Sequence, residues 1–329
     1  MPRTAVNIVT YNSAATIGPC LDALLEQHAD FAVTVIDNAS TDDTVTIVRG
    51  YEPVTLHCNT ENVGYAVAHN QGIAMTDSEF VLTLNPDVLL KPGFIAAMVT
   101  ALESTPSAGM GAGLLLRVDN LTDETPTAID GMGVYMRRNM RQGLCGDGWP
   151  VESAWKSSRQ VFGADGAAAF YRRAMLKDIA LDGNCFDPDF FIHKEDIDIC
   201  FRAILCGWHG LYVPQARAHH VRHFRPGQRQ RVMSDDLRRH AVRNRYYLML
   251  KNLPAPLFWR YAPSILTYDV LVAGYILLKE RESLRAFAEV WQTREKMLAK
   301  RRQIQAARQI MLDDLHAWLS AGEPQQDNV

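Results

Sequence analysis

Four polar clusters carry residue types that could do chemistry. The first is Asn85-Pro86-Asp87, directly after an apolar run. A carboxylate fixed at a strand end can ligate a hard cation. Magnesium takes one or two protein carboxylates and fills its shell with phosphate oxygens and water. A plain turn before a helix would use the same three residues. The second is Asp37-Asn38-Ala39-Ser40-Thr41-Asp42. Asp37 could accept hydrogen bonds from a base N–H or a ribose hydroxyl, and Ser40 followed by Asp43 reads as a capping box for a helix over Thr44 to Val48. The third is Glu195-Asp196-Ile197-Asp198. Three carboxylates so close repel one another, which raises at least one pKa, whereas a helix N-terminus favours the anions. A positioned carboxylate here could act as a general base, and an acidic first turn is the plainer reading. The fourth is His219-His220-Val221-Arg222-His223. Neutral imidazole can ligate a metal, and a basic solvated face is the alternative. A strand would set His219, Val221 and His223 on one side and His220 on the other.

These clusters need elements to hold them. Ala5 to Thr10, Phe31 to Ile36, Val54 to Cys58 and Phe80 to Leu84 read as strands. Thr16 to Glu26, Thr44 to Val48, Ala66 to Met75 and a stretch from Pro92 to about Glu103 read as helices. This alternation predicts a parallel sheet with helices on both faces, whose ligands sit beyond the carboxyl ends of the strands. Thr10-Tyr11-Asn12, Asp37-Asn38, Asn59 to Asn62 and Asn85 to Asp87 fall there. Residues 117–160 are weakly patterned and read as a loop region over the site, and Glu195 to Cys206 reads as a helix burying Ile199, Cys200, Ala203 and Ile204.

The 329 residues are 47% hydrophobic and 22% charged, enough for a substantial core. A formal net charge of -3 gives no case for nucleic-acid binding. The 6 cysteines form no C-x-x-C and no zinc-type spacing, so a reduced cytoplasmic setting is expected. The N-terminus lacks the apolar core of a signal peptide. From Pro214 to Lys251 there are ten Lys/Arg against two Asp. Ala262 to Leu278 is an apolar run of 17 residues interrupted by Ser264, Thr267 and Asp269. That is short of the ~20 apolar residues a spanning helix wants. An interfacial segment on an anionic leaflet, or a core or dimer helix, would suit it. A long charged helix is expected over roughly Glu280 to Leu319, then an unstructured tail.

Order and spacing make the clusters specific. Val9-Thr10-Tyr11-Asn12, Val35-Ile36-Asp37-Asn38, Asn62-Val63-Gly64-Tyr65 with Asn70, Leu84-Asn85-Pro86-Asp87, Phe162-Gly163-Ala164, Phe186-Asp187-Pro188-Asp189 and Glu195-Asp196 through Gly207-Trp208 follow one another in a series. The series resembles the GT-A glycosyltransferases of family 2, in particular the rhamnosyltransferase-like branch, over about residues 5–225. The resemblance implies an α/β fold, a Rossmann-like mixed, mainly parallel sheet flanked by helices, with a helical C-terminal extension. A catalytic domain would cover 1–225, its nucleotide-sugar half about 1–110 and its acceptor half about 111–225. The extension would cover 226–320 and a disordered tail 321–329. Thr10, Tyr11, Asn12 and Asp37 match nucleoside-holding positions, Asn62, Gly64 and Asn70 the donor turn and helix, and Asn85 and Asp87 the D-x-D-type metal motif. Asp196 matches the catalytic base, Glu195 its neighbour, and His220 the histidine near metal and diphosphate. His193-Lys194 and Arg222-His223-Phe224-Arg225 depart from the family pattern.

The implied activity is inverting transfer of a sugar, rhamnose from dTDP-rhamnose before UDP- or GDP-sugars, with Mg²⁺ or Mn²⁺. The acceptor would be a hydroxyl of a saccharide or lipid-linked saccharide in cell-surface polysaccharide synthesis. Peripheral contact with the inner face of the membrane through 226–280 and a homo-oligomer are further expectations. A nucleotidyltransferase would need a glycine-rich phosphate loop and a dinucleotide oxidoreductase G-x-G-x-x-G after the first strand; neither motif is there. The alternative is a non-catalytic nucleotide-sugar-binding protein, against which the presence of both Asp87 and the Glu195-Asp196 pair argues.

Overall fold

The computed structural model describes residues 2–222 and 233–326. Its N-terminal half alternates as the sequence predicts: β1 (Thr4–Thr10), α1 (Ile17–Leu25), β2 (Phe31–Asp37), α2 (Thr44–Arg49), β3 (Val54–Cys58), α3 (Tyr65–Ala74) and β4 (Phe80–Leu84). β1 and β4 are buried along their whole length. Strands apolar on both faces belong inside a parallel sheet covered by helices.

Then follow β5 (Val88–Leu90), α4 (Phe94–Ser104), β6 (Ala108–Arg117), β7 (Ala128–Gly131), β8 (Val134–Met136), β9 (Gln142–Leu144), β10 (Arg159–Val161), β11 (Ala168–Arg172), α5 (Arg173–Asp178), α6 (Glu195–Leu205) and β12 (His209–His220). The main sheet runs β10-β12-β6-β11-β4-β1-β2-β3, with β5 on β12 and β7 on β6. β11 is antiparallel to both β4 and β6, so the sheet is mixed but mainly parallel. Phe80, Leu82 and Leu84 face a core closed by α1 and α4, and Val81 faces the second core, which α6 closes.

The C-terminal helices α7 (Asp235–Asn252), α8 (Ala255–Lys279), α9 (Arg285–Ala306) and α10 (Leu312–Ala321) join that second core. Leu248, Leu253, Met297, Leu315 and Leu319 pack into the same cluster as Phe190, Ile197 and Phe201. A buried ionic network ties them further to α6. Lys251 bonds Asp187 and, at 3.0 Å, Asp198; Asn252 Nδ2 donates to Asp198 at 2.8 Å, and Lys300 Nζ reaches Asp189 at 2.6 Å.

Four sequence expectations are corrected. The long helix over Glu280 to Leu319 is two helices, because Gln309 and Ile310 donate their backbone N–H to Leu205 O at 2.8 and 3.2 Å and dock the break onto α6. Ser40 does not cap α2: its N–H and hydroxyl donate to Asp37 at 2.9 and 2.5 Å, and Asp42 accepts from Thr44 N–H at 3.1 Å. β12 ends at His220, since Arg222 turns away to two carboxylates; His223 to Arg225 and 226–232 lie outside the described residues. The apolar run belongs to a 25-residue helix that starts at Ala255, long and apolar enough to cross a bilayer by length and composition. Asp269 does not break it, because Arg245 neutralises the carboxylate. The tail beyond Ala321 is described to residue 326, where Glu323 pairs with Arg137 at 2.7 Å and Gln325 O accepts from Trp155 at 3.3 Å.

Candidate active site

A cleft of ≈ 440 Å³ opens at the carboxyl ends of β1, β2 and β4. Its lining includes Tyr11, Asn38, Asn62, Gly64, Asn85 and Asp87 on one side and Asp165, His193, Lys194, Glu195 and Asp196 on the other. Asp87 and Asp196, 109 positions apart in the chain (196 − 87), therefore face one space.

Asp87 follows β4 in a tight turn. Its Oδ1 is buried without a hydrogen-bond partner, 3.6 Å from His220 Nε2. Of the two candidate histidines, His220 is thus the one that faces Asp87. His220 Nδ1 pairs at 2.8 Å with Asp130, a fully buried carboxylate that also accepts from Arg222 at 2.7 Å. Burial lowers the His220 pKa, but the hydrogen bond to Asp130 and the nearby Asp87 carboxylate outweigh it and raise it to about 9. Among the described residues no set of three His, Cys, Asp or Glu could hold a metal. One orphaned carboxylate oxygen with one imidazole suits a cation whose other ligands come from phosphate and water.

Glu195 and Asp196 open α6. The chain reaches them through Phe191, His193 and Lys194, at φ 62°, 75° and 73°, a region costly for residues with side chains. α7 holds this loop in place. The buried Asn244 Nδ2 donates to the carbonyls of Phe190, Ile192 and His193 at 2.9, 3.0 and 2.7 Å, and Arg243 Nη2 to Asp189 O at 2.9 Å. Asp196 accepts from Gly166 N–H at 3.1 Å and Ile197 N–H at 2.8 Å. Burial first and the Asp165 charge second push its pKa up to about 6. Burial and then Asp196 push Glu195 up to about 8, and Glu195 Oε2 has no partner. Desolvation therefore outranks the mutual repulsion expected from sequence. Asp198 points away from the cleft into the ionic network with Arg202, Lys251 and Asn252.

The other expected residues divide. Tyr11, Asn62, Gly64 and Asn85 line the cleft; Thr10, Asn12, Asp37 and Asn70 do not appear in its wall. Asp37 is 1% exposed and accepts from Thr10 Oγ1 and Ser40. Asn12 Oδ1 accepts from Thr41 N–H at 2.8 Å. Asn70 clasps the backbone of Phe186 at 2.7 and 2.9 Å. In the structure each braces a loop that carries a lining residue. Sequence reasoning missed Tyr65, whose hydroxyl lies 2.9 Å from Asn85 Oδ1, together with Asp130 and Asp165. Asp165 follows Phe162-Gly163-Ala164 directly, a signal that was in view; Asp130 sits in the weakly patterned region, where nothing local marks it.

Gly64 joins the two sides. At φ 86° it brings Phe191 so close that an added Cβ would sit 2.5 Å from the ring. Gly64→Ala is expected to cost about 1–3 kcal/mol for the left-handed backbone alone. It should also displace the loop before Glu195, read as a lower thermal midpoint together with reduced activity.

Comparisons with known proteins follow this geometry. The family model described as glycosyl transferase family 2 matches residues 5–179, a span that takes in Asp87 but not Glu195, Asp196 or His220. An N-acetylglucosaminyl-diphospho-decaprenol L-rhamnosyltransferase of Mycobacterium tuberculosis is 31% identical over 238 residues, 65% of this chain and 75% of the relative. Among solved structures, S. aureus TarS in complex with UDP-GlcNAc matches with TM-score 0.57 at 14% identity, over 99% of each chain. A mannosyltransferase from Pyrobaculum calidifontis in complex with GDP-Man and Mn²⁺ matches with TM-score 0.53 at 18% identity, over 93% of this chain and 86% of that one.

Proposed function

Because the chain belongs to glycosyl transferase family 2, with the GT-A fold and glycosyltransferase activity of that family, we propose that it moves rhamnose from dTDP-rhamnose to a hydroxyl of a saccharide or lipid-linked acceptor, with inversion. The observation that carries this reading is the convergence of Asp87 and Asp196 on one cleft. Asp196, raised toward neutrality by burial, takes the proton of the acceptor hydroxyl. Glu195, protonated at neutral pH, can donate to the acceptor and orient it. Tyr65, Asn85 and Asn62 shape the donor side. Asp87 would hold a Mg²⁺ or Mn²⁺ ion, and His220 would join it as the neutral imidazole, giving up its Nε2 proton when the cation binds. Such an ion neutralises charge that builds on a leaving diphosphate.

The rhamnosyl preference is supported by the M. tuberculosis relative's name, and the UDP-GlcNAc and GDP-Man bound to the structural neighbours favour testing UDP- and GDP-sugars beside it. A thermal-shift screen of nucleotide sugars with Mg²⁺ and Mn²⁺ decides. dTDP-rhamnose with metal should raise the midpoint most, since a ligand that binds only the folded state stabilises it. No shift with any nucleotide sugar would end the reading. In Asp87→Ala the metal-dependent part of donor affinity should fall on the order of ten- to a hundredfold, the span seen when even an outer partner of a metal ligand is lost.

The enzyme is further proposed to work at the cytoplasmic face of the membrane, lying on it through α8. Leu257, Tyr261, Ile265 and Ile276 bury one side of α8 on the protein core, so lipid cannot surround it, while Trp259, Leu266, Val270 and Leu277 stay exposed. The intact chain should float with anionic liposomes and Leu266→Glu/Val270→Glu should not; flotation of neither or of both equally would remove the membrane from the proposal.

A further inference from the structure

A second cavity, a groove of ≈ 510 Å³ between α7 and α8, adjoins the active-site cleft. His193 and Lys194 line both spaces, so the groove begins where Glu195 and Asp196 begin. Beyond them its walls are aromatic and aliphatic: Tyr246, Tyr268, Leu271, Val272 and Tyr275. Arg245 and Glu280, also in the wall, are matched by Asp269 and, at 3.9 Å, by Arg238. Arg141 and Lys194 bring positive charge to the cleft end. The far lip is open and apolar, with Leu271 67% and Tyr275 43% exposed, and runs into Val270 and Leu278 at 71% and 79%.

We propose that this groove holds the apolar tail of an isoprenoid diphosphate acceptor, with the anionic head at Arg141 and Lys194 and the sugar beyond it at Asp196. A free saccharide would want hydrogen-bonding walls. Here the positive groups gather at the cleft end, Arg245 and Glu280 farther along are paired with Asp269 and Arg238, and the rest of the wall offers the apolar lining and volume of a small-ligand site. The charge gradient matches a molecule with one anionic end and one greasy end. Continuity with the exposed stripe of α8 means a tail leaving a bilayer passes along apolar surface throughout, where burial is favourable. The name "acceptor" rests on the glycosyltransferase reading; the binding does not.

The test uses the full-length protein and farnesyl diphosphate in metal-free buffer, followed by titration calorimetry, with inorganic diphosphate as the headgroup control. Wild type should bind farnesyl diphosphate at least roughly tenfold more tightly than inorganic diphosphate, given about 0.8 kcal/mol per buried CH₂. Leu271→Glu, at an exposed position that folding tolerates, and Val272→Phe, which fills the groove, should each remove most of that advantage. Affinity for dTDP with Mn²⁺ should be unchanged in both. Equal binding of the two diphosphates, farnesyl affinity unaltered by both variants, or a dimer that Leu271→Glu dissolves would overturn the proposal, the last by giving the groove to a second copy. Failure of wild type to bind any nucleoside diphosphate with metal would instead count against the glycosyltransferase reading and leave the farnesyl comparison standing on its own.

Discussion

Asp196→Asn is expected to lower turnover by on the order of a hundredfold or more, the size of effect a general base supplies, while donor affinity stays at the wild-type level. Asparagine keeps the size of the side chain at the N-terminus of α6 but cannot accept a proton. The carboxylate now accepts backbone N–H bonds at both oxygens, from Gly166 and Ile197, so the amide gives up one of them and the fold should survive. The pH profile separates loss of chemistry from loss of structure. Burial and the Asp165 charge raise the folded pKa of Asp196 to about 6, so wild-type turnover should climb as pH rises through that value and then level. The variant should lose this climb and keep only a low rate without it. Stability moves the opposite way. A carboxyl whose folded pKa lies above its unfolded one binds its proton more tightly in the folded state. Stability is therefore lost as pH rises from the ordinary carboxyl range through about 6 for Asp196 and about 8 for Glu195. Glu195→Gln should flatten that loss in thermal scans between acid and mildly alkaline buffer. Turnover of Asp196→Asn near wild type would remove Asp196 from the reaction.

The second large effect lies outside the cleft. Lys251→Met should destabilise the protein by about 3–5 kcal/mol, the cost of breaking a buried ion pair from one side. Lys251, Asp187 and Asp198 are all fully buried, and Lys251 bridges the two carboxylates. Burial alone would raise the Asp187 pKa, but Lys251 and then Lys300 hold the carboxyl well below its usual range. Without Lys251 that charge stays in the core with Lys300 alone. A loss of this size is a large part of the 5–15 kcal/mol that keeps a typical domain folded, and should lower the thermal midpoint by on the order of 10 °C. The gap between variant and wild type should narrow in acid. A depressed carboxyl contributes its stability above the unfolded pKa and loses it as pH falls, and a protonated Asp187 no longer needs the lysine. A midpoint within a degree or so of wild type at neutral pH would show that α7 and α6 are coupled by apolar packing alone. The same network explains why the extension cannot be treated as a separable tail: Asp187 and Asp198 flank Glu195-Asp196 in sequence, and Lys251 of α7 and Lys300 of α9 join Arg202 of α6 in supplying their counter-charges.

What the amino-acid sequence determined by itself was local. The period of apolar residues set β1 to β4 and the helices between them to within one or two residues, because strand and helix formation there follows neighbours two, three or four positions away. Strand-end chemistry then pointed to Asp87, Asn85 and Tyr11, because the carboxyl end of a parallel strand in a covered sheet is a position fixed by topology. Tertiary structure decided what depends on partners far along the chain. Asp37 and Asn70 became braces because Ser40 and Phe186 fold back onto them. Asp130 became the partner of His220 across 90 positions. The left-handed run at Phe191, His193 and Lys194 persists because Asn244, some fifty residues later, bonds its carbonyls. The helix expected to run unbroken from Glu280 parts at residues 307–311, where docking on Leu205 offers backbone bonds that outweigh continued helix. A periodic pattern records what a residue wants from its neighbours. Which distant carbonyl, carboxylate or ring meets it is set only when the sheet has closed and the helices have packed.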